Sequence, residues 1–281
     1  MNKGIHNHQL KIACINDISG FGRCSITAEL PIISRLGVQC CPLPTALLSD
    51  HTGFDSFYFF DFTDHMRDYM KEWKKLGLHF EGIMSGFLGS VEQIDIVREF
   101  FDEFDDDGTC VIIDPVMGDY GKIYATYTDE MCEQMKQLVG YADILTPNAT
   151  EACKLTGIPY KEDFTSQELM DMAERLSSCG PEKVAITGVD RDGYIENYCY
   201  EKGGRSFIIR TEKVATQRSG TGDVFSAVIA AGAVRGIPFE KSVRTAAEFI
   251  RDCLVRSEEL DIPVTDGVCF EELMDRLSFD R

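Results

Sequence analysis

The chain has 281 residues, with 47 Asp and Glu against 28 Lys and Arg, and a formal net charge of −19. That balance, with no basic run, excludes a nonspecific nucleic-acid surface, which needs clustered Lys and Arg; a nucleotide is still allowed, because backbone N–H groups, a few cations and Mg2+ supply a positive field locally. The length suits one large α/β domain, and the eleven cysteines lie scattered over apolar segments without CxxC spacing, as buried thiols do.

Residues 1–10 read as a flexible N-terminus and 11–281 as a single domain, since no Pro-, Ser- or Gly-rich linker divides the chain. The first ten residues lack the apolar core of a signal peptide, and nowhere do eighteen apolar residues run together. A soluble, cytoplasmic protein is expected. His6 and His8, on that polar terminus, read as disordered rather than as metal ligands.

Along the chain, short apolar or β-branched runs alternate with longer amphipathic ones, the pattern of βα units around a largely parallel sheet. Residues 10–15 read as a strand and 25–36 as a helix. The turn between them, Gly20-Phe21-Gly22-Arg23-Cys24-Ser25, lacks the third glycine of a dinucleotide fingerprint, and no acidic residue closes a second strand at the required distance. It reads better as a tight strand-to-helix turn lining a pocket, with Asn16, Asp17 and Ser19 offering polar groups. A strand at 38–43 leads to Leu48-Ser49-Asp50-His51-Thr52-Gly53-Phe54, by itself an ordinary turn.

A helix at 65–75, a short strand at 82–85 and a helix at 91–104 follow. The acidic run Glu103-Phe104-Asp105-Asp106-Asp107-Gly108 looks like the start of a calcium loop, but its twelfth position would be Asp114, followed by proline where an exit helix should begin. A solvated helix end is the better reading. Residues 109–113 form the most apolar strand, stopped by Asp114-Pro115, and the proline holds Asp114 at the sheet edge. A carboxylate there either bonds turn amides or holds Mg2+ through water. Residues 118–127, rich in Gly and Tyr with little periodicity, suit a mobile flap.

After a helix at 129–139 and a strand at 143–146 comes Thr146-Pro147-Asn148-Ala149-Thr150-Glu151. Asn148 and Glu151 have the spacing of a capping box, which explains the segment locally; the same spacing aims an amide and a carboxylate at the strand-end edge, where a metal–phosphate would sit. A helix at 166–178, a strand at 183–187, and a hairpin of 193–200 with 205–211 at the sheet edge precede the helices 223–235 and 239–255. The polar breaks follow strand ends, the edge at which open α/β sheets bind ligands. Ahead of the first of those two helices lies Arg218-Ser219-Gly220-Thr221-Gly222-Asp223. This turn brings backbone N–H groups and the positive end of the helix dipole to one point, an anion site with a carboxylate beside it. Asp223 is either a helix cap or a base that takes a proton from a hydroxyl attacking a phosphoryl group. No GxxxxGK[ST] occurs, so any nucleotide site is of another type.

Asn148-x-x-Glu151 together with Gly220-Thr221-Gly222-Asp223 resembles the paired signature of the ribokinase-like superfamily, kinases that phosphorylate hydroxymethyl groups with ATP. Leu48 to Phe54, Ser85-Gly86-Phe87-Leu88-Gly89-Ser90, and Asp114-Pro115-Val116-Met117-Gly118-Asp119 with Gly121-Lys122-Ile123-Tyr124 resemble its pyridoxal kinase family, in the family's order from about Lys11 to Arg256. The resemblance implies a three-layer αβα sandwich with a central, mostly parallel sheet. Its implied activity is ATP-dependent phosphorylation of the 5′-hydroxymethyl of pyridoxal, pyridoxine or pyridoxamine in vitamin B6 salvage. On that resemblance Asp223 is the general base, and the N–H groups of Gly220, Thr221 and Gly222 form the anion hole. Asp114 and Glu151 organise Mg2+ and its water with Asn148 in support, and Thr146 and Thr187 line the ATP phosphates. Asn16 and Thr52, with His51 nearby, receive the pyridine ring. Potassium and a homodimer are further implications.

Two departures stand out: Asn16 falls where the best-known members carry serine, and Thr221 where several carry valine. The first leaves the vitamer open, since an amide both donates and accepts; the second changes little in a hole built from backbone. A sister activity, hydroxymethylpyrimidine kinase, shares the Asp-Pro-Val-Met start but usually continues Ala-Lys-x-Gly, unlike Gly118-Asp119 here. A non-catalytic B6-binding protein on the same scaffold has no need of Asp223.

Overall fold

The computed structural model describes residues 8–124 and 126–280, so most of the expected flexible N-terminus, 1–7, lies outside the described residues. The strands are β1 (Lys11–Ser19), β2 (Gln39–Leu48), β3 (Phe59–Asp61), β4 (Gly82–Ser85), β5 (Cys110–Ile113), β6 (Gly118–Asp119), β7 (Lys122–Ile123), β8 (Ile144–Leu145), β9 (Lys183–Arg191), β10 (Tyr194–Glu201) and β11 (Arg205–Glu212). The helices are α1 (Ser25–Arg35), α2 (Thr63–Leu76), α3 (Val91–Phe104), α4 (Asp129–Val139), α5 (Ala149–Thr156), α6 (Ser166–Ser177), α7 (Thr221–Val234) and α8 (Phe239–Glu259).

Nine strands form one sheet in the order β11-β10-β9-β8-β5-β4-β1-β2-β3. The interior pairings from β9 to β2 are parallel, while β10, β11 and β3 join antiparallel at the two edges. Strand side chains alternate between faces. Ile12 and Cys14 pack with residues of α1, α7 and α8, whereas Ala13 and Ile15 pack with residues of α2 to α6, which gives the expected three layers. Side-chain caps begin α3, α4 and α6: Ser90 accepts from Gln93 N–H, Thr128 from Met131 N–H, and Thr165 forms a capping box with Glu168.

Both first strands run further than their apolar cores. β1 continues through Asn16, Asp17 and Ser19, polar but buried, because pairing with β2 resumes after a register shift between Asn16 and Ile18. Such an irregularity re-aims side chains, here at the carboxyl edge. β2 carries Pro42 and Pro44, tolerable because β3 pairs with it only at Ala46 to Leu48, leaving the outer side of the prolines without a strand to bond. All eleven cysteines are free thiols. Among the described residues no helix is long and apolar enough to cross a membrane.

Candidate active site

From β1 the chain passes to β2 on one side, then returns to β4 on the other and continues outward through β5, β8 and β9. That reversal opens a crevice at the carboxyl ends of the strands. Asn16 and Asp17 of β1, Asp114 after β5, Thr146 after β8 and the start of α7 all lie along it.

The α7 start is shaped by its backbone. Gly220 has φ +86°, and a Cβ there would lie 1.9 Å from the Arg23 carbonyl oxygen, so only glycine fits. Val224 N–H donates to the Gly220 carbonyl at 2.9 Å, which leaves the N–H groups of Thr221 and Gly222 without a backbone partner inside the helix. They concentrate partial positive charge at one point. A Cβ on Gly222 would lie 4.0 Å from Asp114 Oδ2, so this helix start faces the end of β5. The turn is fixed from behind by buried Arg218, which donates to the carbonyls of Ile262 (2.5 Å) and Pro263 (3.0 Å) and pairs with Glu258 at 2.7 Å.

Asp223, half-buried in the first turn of α7, has its carboxyl pushed up to about 6 by burial and secondarily by the charge of Asp17; the Ser25 backbone and the Asn16 amide oppose the rise. Burial also pushes Asp114 up to about 7, with Asp223 adding to the rise; the Ser226 hydroxyl, donating to Asp114 Oδ2 at 2.7 Å, counters it. Glu151 is raised well above the usual range by burial and by Asp114. Its Oε2 accepts from Asn148 N–H at 2.8 Å and its Oε1 from Met117 N–H at 3.1 Å. Asn148 Oδ1 accepts from Thr150 and Glu151 N–H, completing the expected capping box, and its Nδ2 donates to the Gly118 carbonyl at 2.8 Å. Asp114 thus stands between two other carboxyls, Asp223 in the first turn of α7 and Glu151 in the first turn of α5.

Among the described residues no three His, Cys, Asp or Glu side chains are grouped so as to form a metal cage by themselves. The acidic groups fit Mg2+ in another way, as an ion that arrives on nucleotide phosphates and is held through one or two carboxylates and water. Thr146 is placed differently from a free phosphate ligand, since its buried hydroxyl lies 3.0 Å from Ser226 Oγ. Thr187 stands on β9, bridged to Asn148, and half-buried.

His51 is held by the loops around it. Gly53 N–H donates to its Nδ1 at 3.0 Å, so the Nε2–H donates to the Thr265 carbonyl at 2.7 Å. Its ring packs on Phe54 and against Gly22, where a Cβ would lie 2.2 Å from the ring. Thr52, beside it, is exposed. Asn16, buried near the end of β1, has both ends of its amide engaged: Oδ1 accepts from Asp17 and Phe87 N–H, and Nδ2 donates to Glu29 Oε1 at 2.6 Å.

The segment 118–127, expected as a mobile flap, contains the hairpin β6–β7, with Gly118 opposite Ile123 and Asp119 opposite Lys122; Ala125 lies outside the described residues. A Cβ on Gly118 would lie 2.1 Å from the Lys122 carbonyl oxygen, which is why the pairing is that close. Gly121 N–H donates to Thr150 Oγ1 at 2.8 Å, and the Tyr120 hydroxyl to Gln217 Oε1 at 2.5 Å. The hairpin therefore spans from α5 to the turn before α7.

Sequence reasoning passed over Ser226, Glu29 and Arg218. Ser226 stands three residues after Asp223, on the same helical face, and that spacing was a usable signal. Glu29 interrupts the buried stripe Ile26, Ala28, Ile32, Ile33, and a charge in such a stripe is likewise visible. Arg218 has no such mark, because its partners lie some forty residues away.

A three-layer α/β sandwich with an anion-binding turn and a carboxylate at the carboxyl edge of its sheet is the layout of a ribokinase-like kinase. The chain belongs to the phosphomethylpyrimidine kinase family, whose model matches residues 22–265, and it is an ATP-dependent kinase of that family. A pyridoxal kinase from Arabidopsis thaliana is 29% identical over 70% of this chain and 65% of its own length, just under two thirds of that protein. A hydroxymethylpyrimidine/phosphomethylpyrimidine kinase from Haemophilus influenzae is 31% identical over 59% of this chain and 61% of its own. Among solved structures, a Bacteroides thetaiotaomicron protein described as a putative phosphomethylpyrimidine kinase, crystallised with pyridoxal, is 37% identical, with a TM-score of 0.92 over 96% of both chains. Pyridoxal kinase from Lactobacillus plantarum, at 24% identity, shares the fold with a TM-score of 0.88.

Proposed function

We propose that the chain transfers the γ-phosphoryl group of ATP to the 5′-hydroxymethyl oxygen of pyridoxal, yielding pyridoxal 5′-phosphate and ADP in vitamin B6 salvage. The observation that carries this reading is Asp223, set in the first turn of α7 beside the free N–H groups of Thr221 and Gly222 and raised to about 6, where it is ionised at neutral pH yet still a useful base. Asp223 accepts the hydroxyl proton as that oxygen attacks the γ-phosphorus. The bond from phosphorus to the β,γ-bridging oxygen breaks, and the electron pair leaves with ADP. The N–H groups at the start of α7 stabilise charge on the moving phosphoryl oxygens, which is the larger part of catalysis in phosphoryl transfer.

Asp114 and Glu151 would hold Mg2+ through water, and the ion would neutralise phosphate charge. Asn148 orients Glu151, Thr187 stands at the ATP side of the crevice, and Thr146 acts through Ser226 on Asp114. The loop of His51 and Thr52 bounds the end of the crevice that receives the ring. The pyridoxal-bearing relative supports the choice of alcohol. The second reading, phosphorylation of hydroxymethylpyrimidine, is favoured by the family's description and by the Haemophilus influenzae relative. A panel of pyridoxal, pyridoxine, pyridoxamine and hydroxymethylpyrimidine with ATP and Mg2+ separates them. The highest kcat/KM is expected for a B6 vitamer, and a clear preference for the pyrimidine overturns the assignment.

A further inference from the structure

Residues 262–268 follow α8 and are fastened to three parts of the crevice at once. The first is the turn before α7. The Arg218 guanidinium donates to the carbonyls of Ile262 at 2.5 Å and Pro263 at 3.0 Å, and Val268 N–H returns to the Ser219 carbonyl at 3.1 Å. The second is the loop of His51, whose Nε2–H donates to the Thr265 carbonyl at 2.7 Å. The third is the turn ahead of α1. There the Arg23 guanidinium donates to the Asp266 carbonyl at 2.9 Å, and a Cβ on Gly267, at φ +82°, would lie 2.1 Å from the Gly22 carbonyl oxygen. The segment is a strap, tied at both ends to the turn that carries the anion site and in its middle to the loops beside it.

Arg218 makes the tie through its side chain. A guanidinium is planar with five N–H donors, enough to hold two successive carbonyls and the Glu258 carboxylate at 2.7 Å together. Its own carbonyl accepts from the Thr221 hydroxyl at 3.2 Å, so the residue is rooted in the turn it fastens. A charge only 5% exposed is costly to bury, and its contribution lies in what its donors hold. We infer that Arg218 is a positioning residue for phosphoryl transfer: through residues 262–268 it sets His51, at the ring of the alcohol, in register with the N–H groups of Thr221 and Gly222, at the phosphoryl group. The inference rests on the proposed function, in which the loop of His51 bounds the ring end of the crevice. Alcohol and phosphoryl donor then meet in a geometry fixed by one strap rather than by two independent loops. Such positioning acts on kcat, because a misplacement of about 1 Å costs about 10²-fold.

The test is a double-variant cycle between Arg218→Met, which keeps an unbranched apolar stem and deletes every donor, and His51→Ala. The readouts are kcat and the KM values for ATP and for the preferred alcohol of the panel, each per folded enzyme. Arg218→Met is expected to lower kcat roughly 10- to 100-fold with KM for ATP within about twofold. His51→Ala is expected to raise KM for the alcohol. It lowers kcat/KM about 10-fold in the otherwise unchanged chain but less than about threefold beside Arg218→Met, where the ring contact is already displaced. Two effects that multiply to within about twofold overturn the inference, since that is what an Arg218 serving stability alone gives. If Arg218→Met does not fold, Arg218→Lys decides, because it loses the fork: a wild-type kcat in it, or effects that multiply with His51→Ala, overturns the inference. A KM for the alcohol unmoved by His51→Ala defeats the reading of the ring end and the inference with it. A raised KM beside multiplying effects defeats only the role of Arg218.

Discussion

Asp223, Asp114 and Glu151 are wholly or partly buried without a neutralising side chain among their principal partners, and their proton affinities are raised first by that burial and then by a neighbouring carboxylate, Asp17 for Asp223, Asp223 for Asp114 and Asp114 for Glu151. Asp223 must be ionised to act, so kcat/KM is expected to climb with pH through about 6 and level off above it, a profile measurable in constant-ionic-strength buffers. The same affinities have a stability sign. Asp114 binds its proton more tightly folded, about 7, than at the usual 3.8, so its contribution is destabilising and grows as pH rises between those values. Asp114→Asn is therefore expected to raise Tm by a few degrees at pH 8, to leave it nearly unchanged at pH 4, and to lower activity. Thermal melts at the two pH values check it; a lower Tm at pH 8 contradicts the electrostatic account. Asp223 and Asp114 were legible in the sequence because a strand end or helix start placed them. Glu29 showed in the sequence only as a charge in the apolar stripe of α1; its partner could not be read there, because the bond to Asn16 crosses from α1 to β1.

At the scale of elements, apolar periodicity marked most helices and side-chain caps marked α3, α4, α5 and α6, and the capping box at Asn148 and Glu151 forms as its spacing required. The strand ends were harder to read. β1 and β2 outrun their apolar cores because pairing with each other satisfies Asn16, Asp17 and Ser19, and β3 consists of exposed residues that only an edge position explains. The hairpin β6–β7 gave no periodic signal, since each strand has two residues. The α7 turn is the element on which function depends most. Gly220→Ala forces a side chain into φ +86° and against the Arg23 carbonyl, so a loss of more than about 1 kcal/mol is expected, read as a Tm lower by several degrees together with a large fall in kcat. A stable, active Gly220→Ala contradicts the proposed geometry of the anion hole.

At the scale of the whole molecule, the two sheet edges differ. β11 ends the sheet with Arg205, Arg210 and Glu212, whereas β3 presents Phe59 and Phe60, each 38% exposed, beside Tyr58 at 67%. An apolar edge strand with unused backbone groups is a pairing surface. We propose that two copies associate through the β3 edge, which predicts sedimentation at twice the chain mass at micromolar concentration and a monomer for Phe59→Glu. A wild-type monomer under those conditions contradicts it. The order β9-β8-β5-β4-β1-β2 brings residues from distant parts of the chain to one crevice, and that convergence is what separates a kinase site from a capped helix. Its most direct test is a single turnover of ATP with excess pyridoxal, followed by the appearance of pyridoxal 5′-phosphate in wild type and in Asp223→Asn, with nucleotide affinity measured in parallel. Rapid product formation in wild type and a fall of about 10²- to 10⁴-fold in the variant at unchanged nucleotide affinity are predicted; product formed equally fast by both contradicts the account.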